Sequence, residues 1–213
     1  MSSPDLKPNS ARSGRPADLA KRNAILEAAA ISFFEHGYAA SSIEQIAVQA
    51  GVSKVTIYNR FGDKRALFAA AVDNECQNMR RNFEVPAIPA GSIRERLTVI
   101  GKAMNAFLGR DKMVQFERRV AAETEHDAEI GKAFLAAGPH RMKAAFVTFL
   151  SAMRDAGEIE VDDLELAAEQ FVSMCKGMGD LERRFGHPQD ARRNEERIAG
   201  AVEVFCRAYV PAK

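Results

Sequence analysis

Between Lys54 and Arg60 the chain gathers side chains suited to one chemistry, the reversible recognition of DNA. Lys, Arg, Thr, Tyr and Asn can hold phosphates or base edges, and an apolar group can touch a thymine methyl. Spacing gives these groups a common outlet. Ile57 and Phe61 are four apart and mark the buried side of a helix. At about 100° per residue, Val55 and Asn59 point away from that side. Thr56 and Arg60 lie on one flank, Lys54 and Tyr58 on the other. No rival chemistry has comparable support. His36, His126, His140 and His187 are scattered, and no H-x-x-x-H or paired-cysteine spacing suggests a metal. Glu123, His126 and Asp127 cluster as a solvated helix end would. No phosphate loop, nucleophile elbow or dinucleotide glycine motif occurs. No catalytic residue, metal or cofactor is therefore expected.

The elements that must position this helix are legible around it. Ser41 and Glu44 have capping-box spacing, as do Ser42 and Gln45, so a helix starts here. Ile43, Ile46, Ala47 and Ala50 follow on one face. Gly51 suits the left-handed residue that ends a helix, because it has no Cβ to clash. Ser53 caps the next helix, with Val52 and Ile57 placed as a hydrophobic staple. Two short helices joined by a glycine turn form a helix-turn-helix.

SIEQIAVQAGV followed by GVSKVTIYNRFGDKRALF, with AILEAAAISFFEHGYAASS before them, resembles the DNA-binding domain of the TetR family of transcriptional regulators. The match runs without a gap from about Lys21 to Phe68. It includes the Gly-Val-Ser turn, the Tyr-x-x-Phe of the second helix and the Lys that opens the next one. The resemblance implies an all-helical homodimer on a palindromic operator, released when a small molecule enters the larger domain. It also implies that Tyr58 and Lys64 hold the DNA backbone and that Ser42 has a backbone-capping role. Val55 stands where the family often has a small residue, Asn59 where it often has His, and Gly62 where it often has Pro. The first two sit on the reading face and bear on the operator sequence.

Composition bounds the rest. The 213 residues carry a net charge of +1 and are 46% hydrophobic, enough for a core. Charge is uneven: Met1 to Arg65 holds nine Lys or Arg against six Asp or Glu, and the remainder 21 against 23. A basic small module joined to a slightly acidic larger one fits DNA at one end and something else at the other. No apolar run of 18 residues could span a membrane, and no secretory signal opens the chain. Cys76, Cys175 and Cys206 form no framework, which suggests reduced, buried thiols in a cytoplasm; a redox-sensing role is the alternative.

Taken in order, residues 1–17 are expected to be a flexible tail, either a solvated leader or an arm contacting DNA through Lys7, Arg12 and Arg15. The helix-turn-helix domain spans 18–65. Its first helix runs from Asp18 to His36 on an inner stripe of Ile25, Ala28, Ala29, Ser32 and Phe33. Lys21 and Arg22 are placed either to reach a phosphate or as surface charges. Asp63 caps a long helix to about Asn82, which the resemblance casts as a lever. Val85 to Gly91, with two prolines, breaks it.

Residues 66–213 form a larger helical domain for effector binding and dimerisation, most like the AcrR-type members in architecture. Helices are expected over 93–108, from an Asp111 cap to about 125, over 128–137, 139–155 and from Asp162 or Asp163 to 185, and from 190 to Pro211. No alternating strand pattern stands out, so the fold class is all-α. Phe107, Phe116, Phe146, Phe149 and Met174 are the predicted lining of an effector cavity, since Phe and Met also pack adaptable apolar pockets. The last two helices are expected to pair with a second copy. One stripe is Leu164, Ala167, Ala168, Phe171, Cys175 and Met178; the other is Ile198, Ala201, Val202 and Phe205. Gly177 and Gly179 either permit close approach across that interface or mark a tolerated weak spot. The expected function is a DNA-binding repressor released by a small apolar or amphipathic effector. An effector-independent activator or architectural DNA-binding protein is the alternative.

Overall fold

The structure, a computed structural model, describes residues 14–80 and 91–212, with side chains over 18–77 and 91–212. Ten α-helices and no strand occur among the described residues. They are α1 (Gly14–His36), α2 (Ile43–Gln49), α3 (Lys54–Phe61), α4 (Lys64–Arg80), α5 (Ile93–Leu108), α6 (Asp111–Thr124), α7 (Ala128–Ala137), α8 (Pro139–Asp155), α9 (Leu164–Arg184) and α10 (Ala191–Tyr209). The predicted break from Val85 to Ala90, and the proposed arm residues Lys7 and Arg12, lie outside the described residues. No described helix is long and apolar enough to cross a membrane.

Two boundaries differ from expectation. Helix α1 begins at Gly14 rather than Asp18, so residues 14–17 belong to a helix and not to a tail. Pro16 does not prevent this: proline is tolerated in a first turn, where its missing N–H has no partner to lose. Asp111 is the first residue of α6, not its cap; Arg110 holds the cap position without a side-chain bond. Elsewhere the caps fall as expected. Ser92 and Glu95 close a full capping box on α5, and Asp63, Asp163 and Asp190 each accept a backbone N–H at a helix start.

Two hydrophobic cores form. The first gathers Ile25, Ala29 and Phe33 of α1, Ile46 of α2, Ile57 of α3 and Phe68 of α4, then continues into Phe116 and Val120 of α6 and Ile130 of α7. Aromatic packing runs through it. Phe33 meets Phe68 edge-on at 5.3 Å, and Phe34 stacks on Phe116 at 4.2 Å. The second core joins α5, α8, α9 and α10 through Leu97, Phe146, Phe149, Leu150, Phe171 and Phe205. Each fully buried side chain of this size contributes about 1.5–3 kcal/mol.

The second core corrects the predicted dimer stripes. Ala167, Ala168, Phe171, Cys175, Ile198, Ala201, Val202 and Phe205 are all buried inside one subunit, with Phe171 and Phe205 edge-to-face at 5.6 Å. A helical apolar stripe shows that a face is covered but does not say by what. Of the predicted set, Met178 alone is strongly exposed, at 63%. The two glycines likewise serve the subunit itself. Gly177 takes φ 48° and ψ −157° and kinks α9. A Cβ there would stand 2.8 Å from Arg197 Cδ, and one on Gly179 2.5 Å from Arg197 Nη1. The arginine of α10 lies across both positions, so the close approach is within the chain.

Candidate DNA-binding face and effector cavity

The reading helix is fixed at both ends by its own sequence. Ser42 caps α2, its Oγ accepting from Gln45 N at 3.4 Å and donating to Glu44 Oε2 at 2.9 Å. Of the two capping registers, Ser42 takes the role because Ser41 is buried. Its hydroxyl donates to Gly37 O at 2.6 Å and accepts from Ser32 Oγ. Gly51 takes φ 66° at the turn. Ser53 then caps α3, accepting from Thr56 N at 3.2 Å.

Helix α3 presents the predicted outer face. Ile57 is buried and Phe61 half-buried. Val55, at 64% exposure, and Asn59 point outward, free of side-chain partners that would fix them elsewhere. Thr56 is half-buried, with Oγ1 2.9 Å from Ser53 Oγ, so its hydroxyl also serves the cap. Lys54 ion-pairs with Glu44 and lies 5.6 Å over the Tyr58 ring. The hydrogen bond from Lys54, then Glu44's own backbone and Ser42, hold the Glu44 carboxyl down at about 2. Arg60, on the flank, pairs with Asp18 of α1.

Lys64, at the start of α4, is engaged within the head. Its ammonium donates to Ala39 O at 3.1 Å and sits 4.7 Å over the Tyr38 ring. Burial pushes its pKa down. Tyr38 was not foreseen in this role; the signal was its place one residue after the α1-ending glycine, beside the turn that α4 must approach.

A second set of contacts ties this head to α6 and α7. Arg119 Nη1 donates to Phe34 O at 2.6 Å. Glu123 accepts from Ala39 N at 3.2 Å. Arg65 pairs with Asp127 at 2.9 Å, and Lys112 with Glu35 at 2.8 Å. The Glu123–Asp127 cluster, expected as a solvated helix end, is thus a bracket on the head.

Behind the bracket lies a cavity of about 1040 Å³. Phe107, Phe116, Phe146 and Phe149 line it as expected. Met174 is not on its wall; it packs partly buried against the second core, because it falls on another side of α9 from the lining Val172 and Ser173. Sequence reasoning missed Phe34 of α1, and Val72 and Cys76 of α4, which bring the head into the wall. It also missed the polar lining, including Glu117, Lys143, Glu169 and Lys176. Glu117 is largely covered while Glu169 stays exposed at the wall's edge, and only packing distinguishes such residues from ordinary surface charges. The three cysteines are buried thiols, and burial pushes Cys175 up to about 12, far from a reactive thiolate.

Residues 25–71 match the family described as bacterial regulatory proteins, tetR family. Residues 95–211 match the C-terminal domain of AefR-like transcriptional repressors. The chain belongs to the TetR family. As a TetR-family member it is a DNA-binding transcriptional regulator, and the matched families are regulators rather than enzymes. Among solved structures it is similar to a TetR-family regulator from Mesorhizobium loti MAFF303099, with 26% identity, 95% of this chain and 100% of that one covered, and a TM-score of 0.76. It is similar also to the flavonoid-responsive regulator FrrA, 31% identical over 91% of this chain and 98% of that one, with a TM-score of 0.72. The HTH-type transcriptional regulator YhgD of Bacillus subtilis is 27% identical over 190 residues, which are 87% of this chain and 94% of YhgD. TetR-family regulators bind operator DNA and small-molecule effectors and form dimers.

Proposed function

We propose that this TetR-family chain is a homodimeric repressor that leaves a palindromic operator when a small apolar or amphipathic effector enters the cavity. The observation that carries this reading is the composition of the cavity wall. Phe34 of α1 and Val72 and Cys76 of α4 face the same space as Phe146 of α8 and Phe171 of α9. A ligand there touches the DNA-binding head and the C-terminal helices at once, so it favours whichever relative placement fits it. The AefR-like repressor match supports the sign of regulation, and the flavonoid response of FrrA supports an aromatic, amphipathic effector. In the bound state Lys54, Val55, Thr56, Tyr58 and Asn59 face the major groove, with Ser42 and Lys64 at the backbone. Two such helices, about one helical turn of DNA apart, read the two half-sites. The protein acts in the cytoplasm, on DNA.

The second copy docks on the outer faces of the last two helices. Met178 and Leu181 lie on the half of α9 beyond the kink and Phe185 caps its end, and Phe185 is 79% exposed. Leu166 and Val204 add exposed apolar surface on α9 and α10. An apolar stripe of this kind is what an isologous interface needs.

Fluorescence anisotropy with the DNA upstream of the chain's own gene, over a salt series, tests the proposal. Tight, salt-dependent binding that outcompetes random DNA is expected. A cavity ligand should then weaken it about 5–150-fold, a coupling of about 1–3 kcal/mol. Operator affinity that is indifferent to every ligand shown to occupy the cavity would rule out effector release.

A further inference from the structure

We infer that Glu117 and Lys176 form the polar anchor of the cavity and select an aromatic effector bearing a hydroxyl, which donates to Glu117 and accepts from Lys176. This rests on the proposal that the cavity is the effector site. The polar groups of the wall divide by whether the protein already satisfies them. Lys143 is held by Glu165 at 3.0 Å and Glu169 at 2.9 Å. The Thr148 hydroxyl donates back to Ala144 O at 3.0 Å. Glu117 is different. Its side chain is 13% exposed; Oε2 is sealed off beside Arg184 with no hydrogen-bond donor, which leaves Oε1, also without a donor, as the oxygen that can meet a ligand in the cavity. Arg184 Nη2 stands 3.4 Å away without hydrogen-bond geometry and lies nearer Asp180, at 3.1 Å. Buried acceptors are rarely left bare in native proteins, and a bare one beside a cavity has a use when a donor arrives. Burial pushes the Glu117 carboxyl up, against the pull of Arg184 and Lys176, which makes it a stronger acceptor. Lys176, also on the wall, has Asp180 at 3.5 Å, longer than a normal hydrogen bond, and so keeps a donor to give.

The charge balance selects the ligand class. Lys176, Arg183 and Arg184 act on Glu117 together with Asp180, so three cations surround two carboxylates. A cationic ligand meets excess positive charge at this pole, and a carboxylate ligand meets Glu117. A neutral hydroxyl meets both partners in the right sense. Beyond this pole the lining of Phe107, Phe116, Phe146, Met104 and Met142 suits an aromatic body. The position also has a consequence for the head. Glu117 shares α6 with Arg119 and Glu123, which grip α1 and the turn after it. A ligand seated on Glu117 therefore loads the helix that holds the DNA-binding domain.

Isothermal titration calorimetry on the full chain with three matched probes tests the anchor: 4-phenylphenol, 4-methoxybiphenyl and 4-(aminomethyl)biphenyl. The phenol should bind about tenfold or more tighter than the ether or the amine, as expected for a hydrogen bond to a charged group. Glu117→Gln should remove most of that gap and leave the ether unchanged, whereas Lys176→Met should weaken phenol and ether alike, since both oxygens accept. Equal affinity for phenol and ether in the wild type would overturn the anchor and leave the effector cavity standing. So would tightest binding of the amine, or a gap that survives Glu117→Gln in a variant with native circular dichroism. If Glu117→Gln does not fold, the wild-type comparison and Lys176→Met decide. Failure of all three probes to bind would overturn both the anchor and the effector cavity.

Discussion

Asn59 and Lys64 stand five residues apart and are proposed for different work. Asn59 is exposed on the outer face of α3, and Lys64 is folded over Tyr38 against the turn at Ala39. A side chain that reads a base edge carries sequence information, whereas one that holds a phosphate does not. Asn59→Ala should therefore relax discrimination at one base pair of the half-site, by about 1–3 kcal/mol. Lys64→Ala should weaken every sequence alike and lower the salt slope by about 1. Anisotropy over a panel of operator variants, repeated at several salt concentrations, separates the two effects. A uniform loss for Asn59→Ala would remove it from base readout.

At the scale of elements, α6 is the member that the sequence did not single out. The long α4 is the covalent link between the DNA-binding head and the rest, and the family resemblance casts it as the lever. The structure adds a non-covalent link in α6. Its Phe116 stacks on Phe34, its Arg119 bonds the Phe34 carbonyl, and its Glu123 receives the Ala39 amide. These contacts clamp the end of α1 immediately before α2 and α3. Arg119→Ala removes a charge-assisted bond to a backbone carbonyl, about 1.5–3 kcal/mol of local stabilisation. Amides of residues 37–42 should then exchange with deuterium faster, while those of α9 and α10 do not change. Unaltered exchange at 37–42 would show that the head is held by apolar packing alone.

At the scale of the whole molecule, the exposed stripe beyond the α9 kink is the surface proposed for assembly. Gly177 turns the end of α9, and Met178, Leu181 and Phe185 follow on its outer side. Phe185→Glu places a charge in the middle of any apolar contact made there. Sedimentation velocity should report a monomer for the variant and a dimer for the wild type, and operator affinity should fall with dimerisation. A variant that stays dimeric would place the interface elsewhere.

The reading head was legible from local rules. Ser42, Gly51, Ser53, Ile57 and Asn59 are placed by caps, a left-handed turn and helical spacing, which act within a few residues. Most helix boundaries in the larger domain follow for the same reason. What covers each apolar stripe was not legible. Phe171 and Phe205 carry the same pattern whether they meet a second subunit or each other, and only the packing of α5, α9 and α10 assigned them to the subunit's own core. The cavity divides the same way. Phe107, Phe116, Phe146 and Phe149 were named by residue type, while Met174 fell elsewhere and Glu117 and Lys176 joined the wall. Sequence spacing fixes the direction of a side chain from its own helix axis. Which neighbour waits in that direction is set by contacts between residues distant in the chain, and those belong to the tertiary structure.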